Sequence, residues 1–293
     1  MSVPWPTLLL ALVCGAALQR ALLWPVLRWP ERWAWQGENY QGRRIPTSTG
    51  LLLALPAGVA LLTAGLVSGA ESGRLLSPLG AVLVLFALLG LQDDLAKETA
   101  PKGLLGHLRA TFARRRPTSG AAKAFGGALV GVWASAGLQG HLGWEALLGG
   151  AVVALSANGL NALDRRPGRA GKAFLVLCTP LVVLALLHRP ALATALLGLA
   201  AAVVAYLPAD LGRRVMMGDA GANPLGAALG FVAVALTGSA TQVVLAALLL
   251  AFTLACDRFP LTALIERVPA LAWLDRLGAK HDSAGATDCE HPA

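Results

Sequence analysis

Charge is scarce in this chain. Only 14% of its 293 residues are Asp, Glu, Lys or Arg, against 56% hydrophobic, and the mean hydropathy is +0.63. A soluble enzyme carries roughly 25% charged residues, and a disordered chain combines low hydrophobicity with high net charge, so neither class fits. Cysteine is as sparse, with Cys14, Cys178 and Cys256 in apolar runs, Cys289 in the tail and no C-x-x-C pair. That spacing excludes a disulfide framework and a cysteine zinc site, and the thiols read as small buried hydrophobes. The five histidines, His107, His141, His188, His281 and His291, are scattered and form no cluster.

What the chain has in abundance is apolar runs of membrane length. A bilayer core takes about 20 mostly apolar residues per helix. On that rule nine spans fall near 5–27, 47–69, 76–92, 121–139, 142–160, 171–188, 190–208, 219–237 and 240–256. The expected fold is therefore all-α, a polytopic transmembrane helical bundle forming a single integral-membrane domain over 1–280. The first run has no basic stretch before it and no small-residue cleavage site, and it carries Gln19 and Arg20, so it reads as a retained helix. Over 257–280 apolar residues recur near helical spacing beside charged ones, which predicts an amphipathic segment on the membrane surface. The tail 281–293 has too little apolar content to pack and is expected to be disordered.

Basic residues resist translocation, so their distribution gives the orientation. All but three of the 24 Lys and Arg lie in 28–46, 93–123, 161–172, 209–217 and the tail from 257; the exceptions are Arg20, Arg74 and Arg189. The N-terminus is then outside and the C-terminus cytoplasmic, in the cytoplasmic membrane. The net charge of +8 follows from this bias together with attraction to anionic membrane lipids, and no nucleic-acid partner is expected.

The informative acids share the cytoplasmic boundary. Asp93 and Asp94 end the third span in GLQDD, Asp164 follows the fifth in NGLNALD, and Asp219 opens the eighth in MMGDAGANPLG. A carboxylate pair at a helix C-terminus is opposed by the helix dipole, by about 0.3–1 kcal/mol per charge, and a bound cation would offset that. Magnesium suits such a place, since it takes oxygen ligands and pairs one or two carboxylates with substrate phosphates. Taken alone, the Asp93–Asp94 pair is equally an ordinary solvated helix end. Asn158, Asn161 and Asp164 are spaced three apart and form one polar stripe on a helix, which could also bond a neighbouring helix. Asp219 stands where a helix N-cap belongs, and the same glycine-rich turn can hold a phosphate.

In order, NYQGRRIPTSTG, GLQDD, TSGAAKA, NGLNALD and MMGDAGANPLG resemble the motifs of the polyprenyl-phosphate N-acetylhexosamine-1-phosphate transferases, over about residues 37–280. The resemblance implies Mg2+-dependent transfer of a sugar-1-phosphate from a UDP-sugar to undecaprenyl phosphate, releasing UMP, in cell-envelope glycan synthesis. It also implies that Asp219 and Asp94 bind metal, that Asp93, Asp94, Asp164 and Asp219 form the catalytic set, and that Lys123, Asn158 and Asn161 contact substrate. Arg165, Arg166 and Arg169 are placed to grip a diphosphate or lipid phosphate, and serve equally as markers of the cytoplasmic side. A homodimeric assembly is compatible with the resemblance.

The chain departs from the family pattern at three points. Pro167 stands where the family has a second aspartate, the family's histidine-rich loop is missing, and no tenth span is found. These favour an alternative, a catalytically silent relative that binds polyprenyl phosphate or scaffolds an envelope-assembly complex. A transporter or flippase would bury ionisable groups near the midplane, whereas here only Arg20 lies well inside a span.

Overall fold

The computed structural model describes residues 5–39, 41–96 and 119–278. Nine long helices fill it: α1 (Trp5–Arg28), α2 (Leu51–Val67), α3 (Ala70–Ala96), α4 (Ser119–Gln139), α5 (Trp144–Leu163), α6 (Arg169–His188), α7 (Pro190–Leu211), α8 (Asp219–Leu236) and α9 (Ser239–Arg258). Each coincides with one expected span. Eight are long and apolar enough to cross a bilayer, while α2 is shorter at 17 residues. The protein is a multi-pass membrane protein with an all-α bundle.

Short turns join α2 to α3, α4 to α5, α6 to α7 and α8 to α9, so the helices alternate in direction. The C-terminal ends of α3, α5 and α7 and the N-terminal ends of α2, α4, α6 and α8 therefore meet at one end of the bundle. Helix α8 is the centre: most of its residues are buried, and it packs on α5 and α3 and more lightly on α6. Its sequence is largely Gly and Ala, and small residues let membrane helices approach closely where lipid gives no hydrophobic drive to associate.

Three features depart from the expected layout. The third span is longer than 76–92, since α3 begins at Ala70 and runs to Ala96, so Asp93 and Asp94 lie within its last described turn. The connection from α1 to α2 is not plain loop. A 3-10 turn (Pro30–Arg32) leads into a small antiparallel hairpin, β1 (Gln36–Glu38) with β2 (Arg44–Pro46), in which Gly37 faces Ile45. The Asn39 side chain closes the hairpin by accepting from the N–H groups of Gln41 and Arg43 at 2.9 and 3.0 Å, and Gly42 takes φ +74°. Last, the amphipathic segment is two short helices, α10 (Leu261–Arg267) and α11 (Pro269–Arg276). Pro269 causes the break: Val268 before it is extended, and proline suits the first helical position that follows. The tail expected to be disordered lies outside the described residues.

Candidate active site

The turn that opens α8 organises the site. Gly218 precedes the helix with φ +70°, a conformation that favours glycine, and a Cβ there would stand 2.6 Å from Oδ2 of Asp94. On one side this turn zips to the segment after the hairpin through backbone bonds. Met216 N–H donates to Pro46 O at 2.8 Å, Thr49 N–H to Met216 O at 3.1 Å, and Gly50 N–H to Met217 O at 3.0 Å. Thr49 Oγ1 adds bonds to Met216 O and to the hydroxyl of the buried Tyr206. The NYQGRRIPTSTG and MMGDAGANPLG motifs, about 170 residues apart in sequence, are thus one structural unit.

On the other side stand the carboxylates. Asp94 reaches from α3 to the start of α8, where its two oxygens accept from the N–H groups of Asp219 (3.0 Å) and Ala220 (3.2 Å). The N-cap expected of Asp219 is therefore supplied by Asp94 from another helix, and Asp219 occupies the first helical position with its side chain released. Gly90, one turn earlier on α3, permits this approach, because a side chain there would collide with the backbone of Asp219. Asp164, just past the end of α5, accepts from Gly218 N–H at 3.1 Å. Lys123, in the first turns of α4, pairs with Asp93 at 2.6 Å and with Asp219. The four acids and the lysine picked from sequence all converge on this turn.

Their parts differ from the expectation in one respect. Asp94 and Asp219 were the expected metal pair, yet the pair that shares a cation is Asp93 and Asp219, around the Lys123 ammonium. Asp94 is committed to the helix terminus. Among the described residues no three His, Cys, Asp or Glu side chains are arranged as a ready-made metal cage. The donor set is nonetheless all carboxylate oxygen, the chemistry a hard divalent ion takes, and two of its members already converge on one positive charge. Burial, then the negative charges of Asp210 and Asp219, push the Asp164 carboxyl well above the ordinary carboxylate range.

Beside the carboxylates lies a pocket of about 170 Å³ whose walls include Asn39, Asp164, Arg165, Arg166, Asp210 and Arg213. Arg165 and Arg166 are exposed and line it as expected of phosphate-binding groups. Arg169 does not. It is 4% exposed, and its guanidinium forms a two-pronged bond with Asp275 of α11, both N–O distances 2.8 Å, with a longer contact to Thr262 of α10. Lys172, one turn on, donates to the carbonyls of Asp275 and Leu277. The start of α6 is thus the dock for the C-terminal helices, and Arg169 is corrected from substrate contact to structural clamp. Asn158 donates to Thr253 of α9 at 3.2 Å, the helix-to-helix alternative left open for the stripe, while Asn161 is half-buried and neither residue lines the pocket.

Sequence reasoning missed Asp210. It is buried in the last turn of α7, lines the pocket, and accepts from Gly168 N–H at 2.9 Å. The available signal was an acid in the last turn of an apolar helix, where the dipole opposes it, the same argument that singled out Asp93 and Asp94.

A multi-pass helical bundle with four carboxylates and a lysine at one end, next to an arginine-lined pocket, is an arrangement suited to handling phosphate groups at a membrane. Residues 76–237 match the family model described as glycosyl transferase family 4. The match spans more than half of the chain, and the chain belongs to that family. It covers Asp93, Asp94, Lys123, Asp164, Asp210 and Asp219, and begins after the hairpin. No curated protein matches the chain. Family membership supports a sugar-phosphate transferase kind of activity on a lipid-linked substrate.

Proposed function

We propose that the protein transfers a sugar-1-phosphate from a UDP-sugar to polyprenyl phosphate, undecaprenyl phosphate in particular, releasing UMP in cell-envelope glycan synthesis. The acidic end faces the cytoplasm in this reading, because the basic loops gather there. The observation that carries it is the meeting of Asp93, Lys123, Asp164 and Asp219, from four separate segments, at one glycine turn beside a pocket walled by Arg165, Arg166 and Arg213.

An oxygen of the lipid phosphate attacks the phosphorus that bears the sugar. The bond from that phosphorus to the bridging oxygen breaks, and UMP leaves with the electron pair. Both reactants are anions, so neutralising and positioning charge is most of the work. Asp219 and Asp93 would hold magnesium, which when bound would neutralise charge at the diphosphate. Asp93 is placed to take a proton from the lipid phosphate, and Lys123, freed from its two carboxylates, to hold a phosphate oxygen. Arg165, Arg166 and Arg213 orient the donor. Asp94 and Asp164 fix the turn by holding its N–H groups, and Asn158 fixes α5 against α9.

The test is UMP release by purified protein given magnesium, undecaprenyl phosphate and a panel of UDP-sugars. Turnover with at least one sugar is the expected result. The silent-relative reading has its own support, a lysine seated between Asp93 and Asp219 and Pro167 where an acid is usual. Binding of polyprenyl phosphate with no turnover across the whole panel would establish that reading instead.

A further inference from the structure

A second hollow, of about 850 Å³, lies among the helices away from the carboxylates. Helix α1 packs along α7 and α2 along α3, but the two pairs scarcely touch, and the space between them is lined by Leu18 and Gln19 of α1, Leu53 and Ala60 of α2, and Ala195 of α7. Leu18 and Ala60 are exposed, so the hollow opens sideways between α1 and α2, on a surface that faces lipid. Its walls are apolar for most of their length, with Glu71 and its partner Arg189 at the end away from the carboxylates.

Gln19 is the exception. The residue is 2% exposed and lines the hollow, yet its Nε2 has no acceptor among the described residues. A buried amide donor without an acceptor is costly, and inside a bilayer no bulk water makes good the loss. Whatever fills the hollow must therefore bring apolar bulk along most of its length and one oxygen at Gln19.

The depth of Gln19 narrows the choice. Trp24 and Trp29, exposed near the end of α1 and in edge-to-face contact, have the character of an interfacial belt. Gln19 precedes Trp24 by five residues, about 7.5 Å along the axis, so it lies just beneath headgroup level, where glycerol esters sit. From Gln19 the hollow continues along α1 to Thr7, about 18 Å of helix rise and room for one extended chain. An isoprenoid chain carries no oxygen along its length, whereas an acyl chain starts with an ester carbonyl. We infer that the hollow is a phospholipid site, in which one acyl chain lies between α1 and α2 and its ester carbonyl accepts a hydrogen bond from Nε2 of Gln19.

The inference is independent of the transferase chemistry and is tested by binding alone. Native mass spectrometry of the purified full chain would compare a diester phosphatidylcholine with the diether lipid of the same chains and headgroup. The diether lacks only the carbonyl, so wild-type protein should favour the diester by roughly threefold to tenfold, the worth of one hydrogen bond. Gln19→Leu should remove the preference, and Ala60→Trp, at an exposed wall position, should displace both lipids. Equal binding of the two lipids by wild-type protein would overturn the carbonyl contact, as would full lipid retention in the Ala60→Trp variant. Tighter binding of polyprenyl phosphate than of either phospholipid would assign the hollow to an isoprenoid chain and overturn the proposal. Disulfide capture of the exposed Cys14 between two copies, with lipid excluded, would make it a dimer interface and overturn the proposal as well.

Discussion

Replacing Asp94 by asparagine separates two parts that neighbouring aspartates play. The change keeps the shape of the side chain but removes its charge and turns one acceptor into a donor, facing the N–H of either Asp219 or Ala220. Loss of a helix N-cap costs about 0.5–2 kcal/mol. Loss of a negative charge at a partly buried helix N-terminus adds about 0.3–2 kcal/mol. The two overlap, and about 2 kcal/mol is the expected total. At about 2–4 °C per kcal/mol for soluble domains of comparable size, the thermal midpoint in detergent should fall by roughly 4–8 °C. Asp93→Asn is the control. It leaves Lys123 with Asp219 as counter-ion, so its midpoint should fall by less than half as much. Both variants should lose turnover, so stability is what distinguishes them. An unchanged midpoint for Asp94→Asn, or the larger fall in Asp93→Asn, would refute the assignment of Asp94 as the cap of α8.

Asp219→Asn should abolish UMP release and also the thermal stabilisation that magnesium gives the unsubstituted protein, about 2.7 kcal/mol at a hundredfold excess over the dissociation constant; full activity or an undiminished magnesium shift would place the metal elsewhere. Asp275→Ala strands the buried Arg169 guanidinium and should cost about 3 kcal/mol, the low end for a broken buried pair because Asp275 is partly exposed. Arg169→Met should be gentler and leave the KM for the donor sugar unchanged, and a rise in that KM would return Arg169 to the substrate. The pair should also be pH-dependent. Bonding to Arg169 holds the Asp275 carboxyl below its ordinary value of 3.8, so its stabilisation is complete above that value and is lost as pH falls through the lowered one. The stability gap between the wild type and Asp275→Asn should therefore close on acidification, and a gap constant with pH would count against the pair.

The nine helices were legible because bilayer thickness imposes a length and an apolar character that composition alone reveals. The converging acids were legible as residues, since a carboxylate at the end of an apolar helix has few reasons to be there. What was hidden was their partnering. Asp94 caps a helix that starts 125 positions later, and Arg169 is neutralised by an acid 106 positions later, in a segment read only as a surface helix. Neither pairing leaves a local pattern, because side-chain spacing reports on neighbours within a helix and not across helices. The hairpin was missed for a different reason: strands of three residues are too short for alternation to register, although Asn39 and Gly42 are turn residues. Asp210 was legible by the rule applied to Asp93 and Asp94 and was passed over because no motif drew attention to it.

The loop from Asp164 to Gly168 shows how the site keeps its form without the family's second aspartate. Gly168, with φ +74°, makes the turn into α6, and its N–H is held by Asp210 from the end of α7. Pro167 fits such a turn, since its fixed φ suits a tight bend and it has no N–H to satisfy. A carboxylate is lost from the loop, but Asp210 lines the same pocket from a different helix, and Arg165, Arg166 and Arg213 line it too. The wall therefore sets three arginines against Asp164, Asp210 and Asp219, where a second loop aspartate would have tilted it further toward negative charge. Arginine's planar fork matches phosphate oxygens in pairs, which a lone carboxylate could do only through a bridging cation. On the proposed reading, this chain meets part of the donor's charge with its own guanidinium groups, leaving the metal to the end where Asp93, Lys123 and Asp219 converge.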